Sequence, residues 1–171
     1  MNNEEIIVSK IFDRFEFARD KIHVQKRLRI ISDPFSREEF EQIIEYLHDE
    51  LGFKIAHHIV GIDYGEDLGF IYMLGNDEHI IFALKEKVSK ENPEINSMTK
   101  YYPSLLMHEL ELVDLFGAIV KDLPDVPSYP LPDGWPKGNH PMRKDWNPAY
   151  FDHKTMTYNP PAKEVKEDEK Q

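Results

Sequence analysis

Nine of the twelve prolines in this chain fall from Pro124 onward. Each removes an amide donor and disfavours helix at the residue before it. The chain therefore cannot be helical or regularly paired throughout. It divides into a periodic part, residues 1–117, a proline-rich part, residues 118–160, and a charged end, residues 161–171. The middle part has no periodicity, yet it keeps Leu123, Val126, Tyr129, Leu131, Trp135, Met142 and Trp146. A merely flexible tail rarely keeps two tryptophans, so an extended arm ordered against some surface is expected. Fully extended, residues 123–150 would reach up to roughly 90 Å. The end of the chain, nearly all charged, is expected to be disordered.

The periodic part reads as alternating helices and strands. Residues 4–15 place Ile6, Ile7, Ile11, Phe12 and Phe15 on one helical face, with Asn3 as a cap. Residues 21–31 alternate Ile22, Val24, Leu28 and Ile30 with polar neighbours, the pattern of one half-buried strand. The clearest start signal follows. Ser36 and Glu39 make a capping box, Phe35 and Phe40 a hydrophobic staple, and Gly52 a helix exit. Strands are expected near 54–63, 67–74 and 79–86, the second of them buried on both faces. After a polar connection from Lys87 to Lys100, Pro103 to Phe116 reads as a helix ending at Gly117. The order α-β-α-β-β-β-α predicts a two-layer α+β domain, a mixed sheet with helices on one face, followed by the arm.

Composition removes several functions. A net charge of −11 argues against nucleic acid as a partner, although Lys26, Arg27 and Arg29 form a local basic patch. With no cysteine, the chain alone cannot hold a disulfide or a cysteine-ligated iron–sulfur cluster. The N-terminus is polar and acidic, so no secretory signal is expected, and no apolar run is long enough to span a bilayer. Any membrane link is expected to run through partners.

Motifs for catalysis are also missing. His108-Glu109-Leu110-Glu111 starts like a zinc-protease helix, but Leu112 stands where the second histidine ligand belongs. His57 and His58 are adjacent on a strand and point to opposite faces. There is no glycine-rich phosphate loop and no GxSxG elbow. No catalytic residue, metal or cofactor is expected. One residue stands out. On a helical wheel Glu109 lies amid Leu105, Leu112, Val113 and Phe116. A desolvated carboxylate there asks for a partner, with Arg143 or a basic residue of another subunit as candidates; a frayed or wet helix end is the plainer alternative.

Three blocks carry a resemblance. His108 to Gly117 resembles the E-R-E-x-x-D-x-F-G helix of the "30 kDa" subunit family of respiratory complex I. Leu131-Pro132-Asp133-Gly134-Trp135 is similar to that family's L-P-D-D-W. Gly138-Asn139-His140-Pro141-Met142-Arg143-Lys144-Asp145-Trp146 is similar to its G-H-P-L-R-K-D-[FY]. The departures are Leu110 in place of arginine, Leu123-Pro124-Asp125 in place of glycine-histidine-proline, Pro127-Ser128 in place of a basic pair, and the inserted Asn139. They imply a divergent branch.

The resemblance implies a subunit without a redox centre of its own, in the peripheral arm of a membrane-bound, ion-translocating electron-transfer complex. Its expected partners are a large hydrogenase-like or quinone-site subunit and a small iron–sulfur subunit, on the cytoplasmic side of the membrane. The expected branch is an archaeal hydrogenase-related or sulfur-reducing complex, ferredoxin- rather than NADH-linked. The residues expected at the partner interface are Glu109, Glu111, Asp114, Trp135, His140, Pro141, Arg143, Lys144, Asp145 and Trp146. A free-standing enzyme, or a small adaptor unrelated to electron transfer, stays open on the residues alone.

Overall fold

A computed structural model describes residues 2–26 and 28–161. Met1, Arg27 and the charged end, residues 162–171, lie outside the described residues. Helix α1 (Asn3–Arg14) starts on a capping box, but Asn2 and Glu5 make it rather than Asn3. The half-buried strand expected over 21–31 is a hairpin, β1 (Ile22–Gln25) and β2 (Arg29–Ser32). Leu28 turns the chain with a positive φ of 57° and no glycine or asparagine to announce it. Helix α2 (Arg37–Asp49) begins at Ser36, whose side chain accepts the Glu39 amide while the Glu39 side chain returns to the Ser36 amide. Phe35 and Phe40 are both buried, as the staple requires.

Strands β3 (Ile55–Asp63), β4 (Asp67–Gly75) and β5 (Ile81–Ser89) follow as an antiparallel meander. The sheet is five-stranded, in the order β1-β2-β5-β4-β3. Its one parallel pairing, β2 with β5, makes it mixed. Alternation puts Ile30, Leu68, Phe70, Tyr72, Leu74, Phe82 and Leu84 on one face, and all are buried. Helix α1 covers the β1–β2 end of that face and α2 crosses β5. The Phe40 and Tyr72 rings meet at 4.8 Å between centroids. This is the expected two-layer α+β domain, with the extra hairpin strand.

The polar connection hides a short strand, β6 (Glu94–Asn96), paired in parallel with β7 (Ile119–Lys121). Between them the expected helix is built in three pieces. A 3₁₀ turn at Pro103–Leu105 leads into α3 (Leu106–Glu111), and a π-type turn (Leu112–Phe116) ends at Gly117 with φ 70°. The chain closes with a small hairpin, β8 (Phe151–Asp152) and β9 (Thr157–Tyr158).

The core contains acids. Glu86, on the helix-covered face of β5, is 2% exposed, and neither carboxylate oxygen has a hydrogen-bond partner among the described residues. The buried Tyr72 hydroxyl, on the same face of the neighbouring strand, is also unpartnered. Burial pushes the Glu86 carboxyl up to about 8, against the attraction of Arg37. The folded state therefore holds a proton that the unfolded chain releases near 4.5. The sign follows from linkage: stability falls as pH rises from 4.5 toward 8, by about 1.4 kcal/mol per pH unit. Glu86→Gln, which mimics the protonated form, should flatten that fall and leave the domain more stable than wild type at pH 8. Urea unfolding across the same window checks it.

Candidate partner interface

The proline-rich arm does not simply run away from the domain. It leaves β7, loops out through residues 123–137, and returns to the end of the α3 helix. A helix end presents carbonyls that the helix itself cannot satisfy. Here the arm answers them in succession. His140 Nδ1 donates to the Asp114 carbonyl at 2.9 Å, and the Met142 amide to that of Leu115 at 3.0 Å. Arg143 donates through Nε to the Phe116 carbonyl at 2.5 Å and through Nη2 to that of Gly117 at 3.5 Å. A guanidinium also suits the negative end of the helix dipole.

A second attachment lies on the β3–β4 hairpin. Asp63 is almost wholly buried and accepts three hydrogen bonds: from the Gly65 amide at 2.7 Å, Lys90 Nζ at 2.7 Å and the Lys144 amide at 2.8 Å. Lys90 also reaches Asp145 at 3.2 Å. Burial alone would raise the Asp63 carboxyl, but the Lys90 ammonium and the two amides outweigh it and hold it at about 2. One carboxylate thus ties three segments distant in sequence.

The outgoing loop has its own fastening. The Asp114 carboxylate accepts from Ser128 Oγ at 2.7 Å and from the Leu131 amide at 3.1 Å. A cleft of about 310 Å³ lies there, with Val113, Asp114, Leu131, Trp135 and His140 in its walls. The two tryptophans meet the aromatic rings of the closing hairpin. Trp135 stacks on Phe151 at 4.6 Å, Trp146 lies over Tyr158 at 5.7 Å, and the two indoles are 6.0 Å apart. Both are half-buried. Trp135 Nε1 donates to the Asn139 carbonyl.

Glu109 departs from expectation. Its helical-wheel position is right, since it is fully buried. Its partners are neutral groups of the loop before the helix: Ser97 Oγ and the Met98 amide, each at 2.6 Å. Burial raises its carboxyl above the usual range despite those two bonds. The ion pair expected with Arg143 is not formed, because Arg143 is spent on the helix end. As placed here, Glu109 is an internal brace and offers no surface to another subunit. Of the other expected interface residues, Glu111 is partly exposed and lies 3.8 Å from His108. Pro141 is partly buried, and the Lys144 and Asp145 side chains are exposed. The residues that sequence reasoning missed are Asp63 and Lys90. Their only advance signal was charge at the ends of two strands.

Exposed apolar side chains recur along the arm: Val126, Tyr129, Met142 and Tyr150 are each more than a third exposed. Among the described residues no group of three or more histidine, cysteine, aspartate or glutamate side chains is placed to hold a metal ion. Among them, too, no helix is long and apolar enough to cross a membrane.

The geometry defines a class: a two-layer α+β domain whose C-terminal arm caps its last helix and carries apolar side chains outward. Comparison with known proteins names the family. The chain belongs to the respiratory-chain NADH dehydrogenase 30 Kd subunit family, which matches residues 34–152. It is 26% identical to a subunit of the F(420)H(2) dehydrogenase of Methanosarcina mazei, over 82% of this chain and 89% of that one. It is 30% identical to the beta subunit of the membrane-bound hydrogenase of Pyrococcus furiosus, over 85% and 87% of the two chains. Its fold is that of a chain in the membrane-bound sulfane sulfur reductase, an archaeal respiratory membrane complex. There the TM-score is 0.74 at 19% identity, covering 85% of this chain and 86% of that one. The sequence relatives are thus subunits of an F(420)H(2) dehydrogenase and a membrane-bound hydrogenase, and the sulfane sulfur reductase chain shares the fold.

Two substitutions test the attachment. At Gly117 an added Cβ would sit 2.5 Å from His140 Nε2 and 2.9 Å from Arg143 Nη2, at a positive φ. Gly117→Ala should displace the returning arm and expose residues 138–146 to limited proteolysis. Asp63→Asn weakens the hold on Lys90 and the Lys144 amide. Hydrogen exchange at that amide should accelerate, while α2 and β4 keep their protection. In the wild type the Asp63 contribution is present above pH 3.8 and is lost as pH falls toward 2.

Proposed function

We propose that this chain is a non-catalytic docking subunit in the peripheral arm of a membrane-bound, ion-translocating electron-transfer complex. Its arm contacts a large hydrogenase-like subunit and a small iron–sulfur subunit, and the chain meets the membrane, on the cytoplasmic side, only through them. The observation that carries this reading is the arm itself. It is pinned to the domain at the helix end and at Asp63, yet presents Val126, Tyr129 and Met142 to the outside. Apolar side chains held outward on a fixed support are what a docking surface needs, because little freedom remains to be lost on binding. The relatives' membership of multi-subunit complexes supports the same reading.

The complex is an archaeal-type, hydrogenase-related or sulfur-reducing one, fed by ferredoxin rather than NADH. The membrane-bound hydrogenase and sulfane sulfur reductase relatives favour that branch. The F(420)H(2) dehydrogenase relative adds reduced F420 to the donors worth assaying. Intact membranes offered NADH, reduced ferredoxin, reduced F420 and hydrogen in turn should respond to ferredoxin; a response to NADH alone would reverse the assignment.

Docking is tested on the surface side chains. Replacing Val126, Tyr129 and Met142 together by serine removes apolar surface without touching the core. Stability should stay within about 1 kcal/mol of wild type. Co-purification with the neighbouring subunits should drop about tenfold, as expected for loss of interface anchors. Full retention would place the attachment elsewhere.

A further inference from the structure

Strand β4 runs Leu68-Gly69-Phe70-Ile71-Tyr72-Met73-Leu74 without a charged residue. Such a run belongs to a strand buried on both faces. Only one face is buried here. Helices α1 and α2 and the Phe116 ring all pack on the side of Phe70 and Tyr72. On the other side Ile71 and Met73 stay partly exposed. The register spreads this open region across four strands. Val60, Ile71 and Lys85 stand in one row; His58, Met73, Ala83 and Ile31 stand in the next. Val60 is 37% exposed. Contiguous apolar surface of this kind marks a contact site.

Two rings of the chain itself bound the region along β4. A Cβ at Gly69 would meet the Tyr64 ring at 2.5 Å, and one at Gly75 would meet His57 Nε2 at 2.6 Å. Those glycines are about 20 Å apart along the strand. A helix, about 10 Å across, fits between the rings.

The charge on this face runs against the rest of the molecule. The chain has 32 acidic residues against 21 lysines and arginines. Yet Arg29 and Lys85 project from this face and make no ion pair among the described residues. Asp67 is the sole acid among the strand residues of the face, and Lys87 already holds it at 2.7 Å.

These features select among occupants. A second copy would bring together two chains of net charge −11 and set the same two cations on both sides of a two-fold contact. An anionic lipid surface would be repelled by the same net charge. Residues 162–171 bring acids, but Val165 is their one aliphatic side chain larger than alanine. An amphipathic helix with acids beside its apolar stripe meets the apolar rows and the two cations together.

We propose that the open face of the sheet is a second docking surface, taken by an acidic amphipathic helix of a neighbouring subunit. Its apolar stripe lies on Val60, Ile71 and Met73, and its flanking carboxylates pair with Lys85 and Arg29. The proposal rests on the docking reading and adds to the arm a contact of different chemistry.

The test uses the assembled complex. The chain has no cysteine, so Val60→Cys places a single thiol on this face. Its alkylation by N-ethylmaleimide, followed by mass spectrometry of this chain, should be about tenfold slower in the intact, detergent-solubilised complex than in the free chain, because a covered thiol is not attacked. A carbodiimide, which joins an amine to a carboxylate touching it, should link Lys85 to an aspartate or glutamate of another subunit. Equal alkylation rates overturn the proposal, as does the absence of a Lys85 link or a link to a second copy of this chain. A thiol covered in membranes but open in the intact solubilised complex would make lipid the occupant and overturn it too.

Tyr129→Cys on the arm separates the two readings. If Tyr129→Cys is protected in the complex and Val60→Cys is not, the arm docks and the sheet proposal falls. If neither is protected, the docking reading falls as well.

Discussion

The end of one helix organises this molecule. From Asp114 to Gly117 successive carbonyls point beyond the last turn, and a buried or crowded helix end cannot leave them unmet. His140, Met142 and Arg143 meet them from a segment more than twenty residues away in the chain. Two glycines make the approach possible. Gly117 takes the left-handed conformation and leaves room for His140 and Arg143. Gly61 in β3 lets the Phe116 ring lie on the sheet, where a Cβ would come within 2.4 Å of it. The helix end is thus fixed to the sheet on one side and to the arm on the other.

Two buried acids show how differently one fold can treat a carboxyl group. Glu109 is met by a hydroxyl and an amide, and it braces the loop at Ser97–Met98 against α3. Glu86 has no such donors and is favoured in its neutral form. Asp63 is the opposite case: it lies nearer the surface, and Lys90 and two amides keep it charged. Shallower placement and an ammonium partner act in the same direction. Surface pairs such as Arg37 and Lys121 with Glu94 link α2, β6 and β7, but exposed pairs of this kind add little to stability.

What was legible in the sequence was local. The Ser36–Glu39 box and the Phe35–Phe40 staple act within one helical turn, so their residues announce them. Strand alternation in β4 is equally local. The β1–β2 hairpin escaped because Leu28 bends the chain without a turn residue, and the alternation runs on across it. Strand β6 is three residues long and pairs with a strand on the far side of α3, so no pattern near it could reveal it. The helical wheel places Glu109 inside, but no pattern along the chain points to the hydroxyl of Ser97 and the amide of Met98 that meet it. The arm's prolines announce the irregular stretch between β7 and the closing hairpin, but not those two paired pieces themselves. The arm's return could not be read, since side chains bonding to carbonyls leave no periodic trace.

Because the arm is fastened at Ser128–Leu131 and again at His140–Lys144, the stretch between them is a closed loop with fixed ends. The entropy of closing such a loop changes slowly with its length; doubling it costs only about 0.6 kcal/mol. Insertions and substitutions between the fasteners therefore leave the scaffold nearly untouched. The inserted Asn139 sits at the border of this stretch and already serves as the acceptor for Trp135. Changes of length between the fasteners are in this way absorbed by a single loop, while the helix end and Asp63 keep their settings.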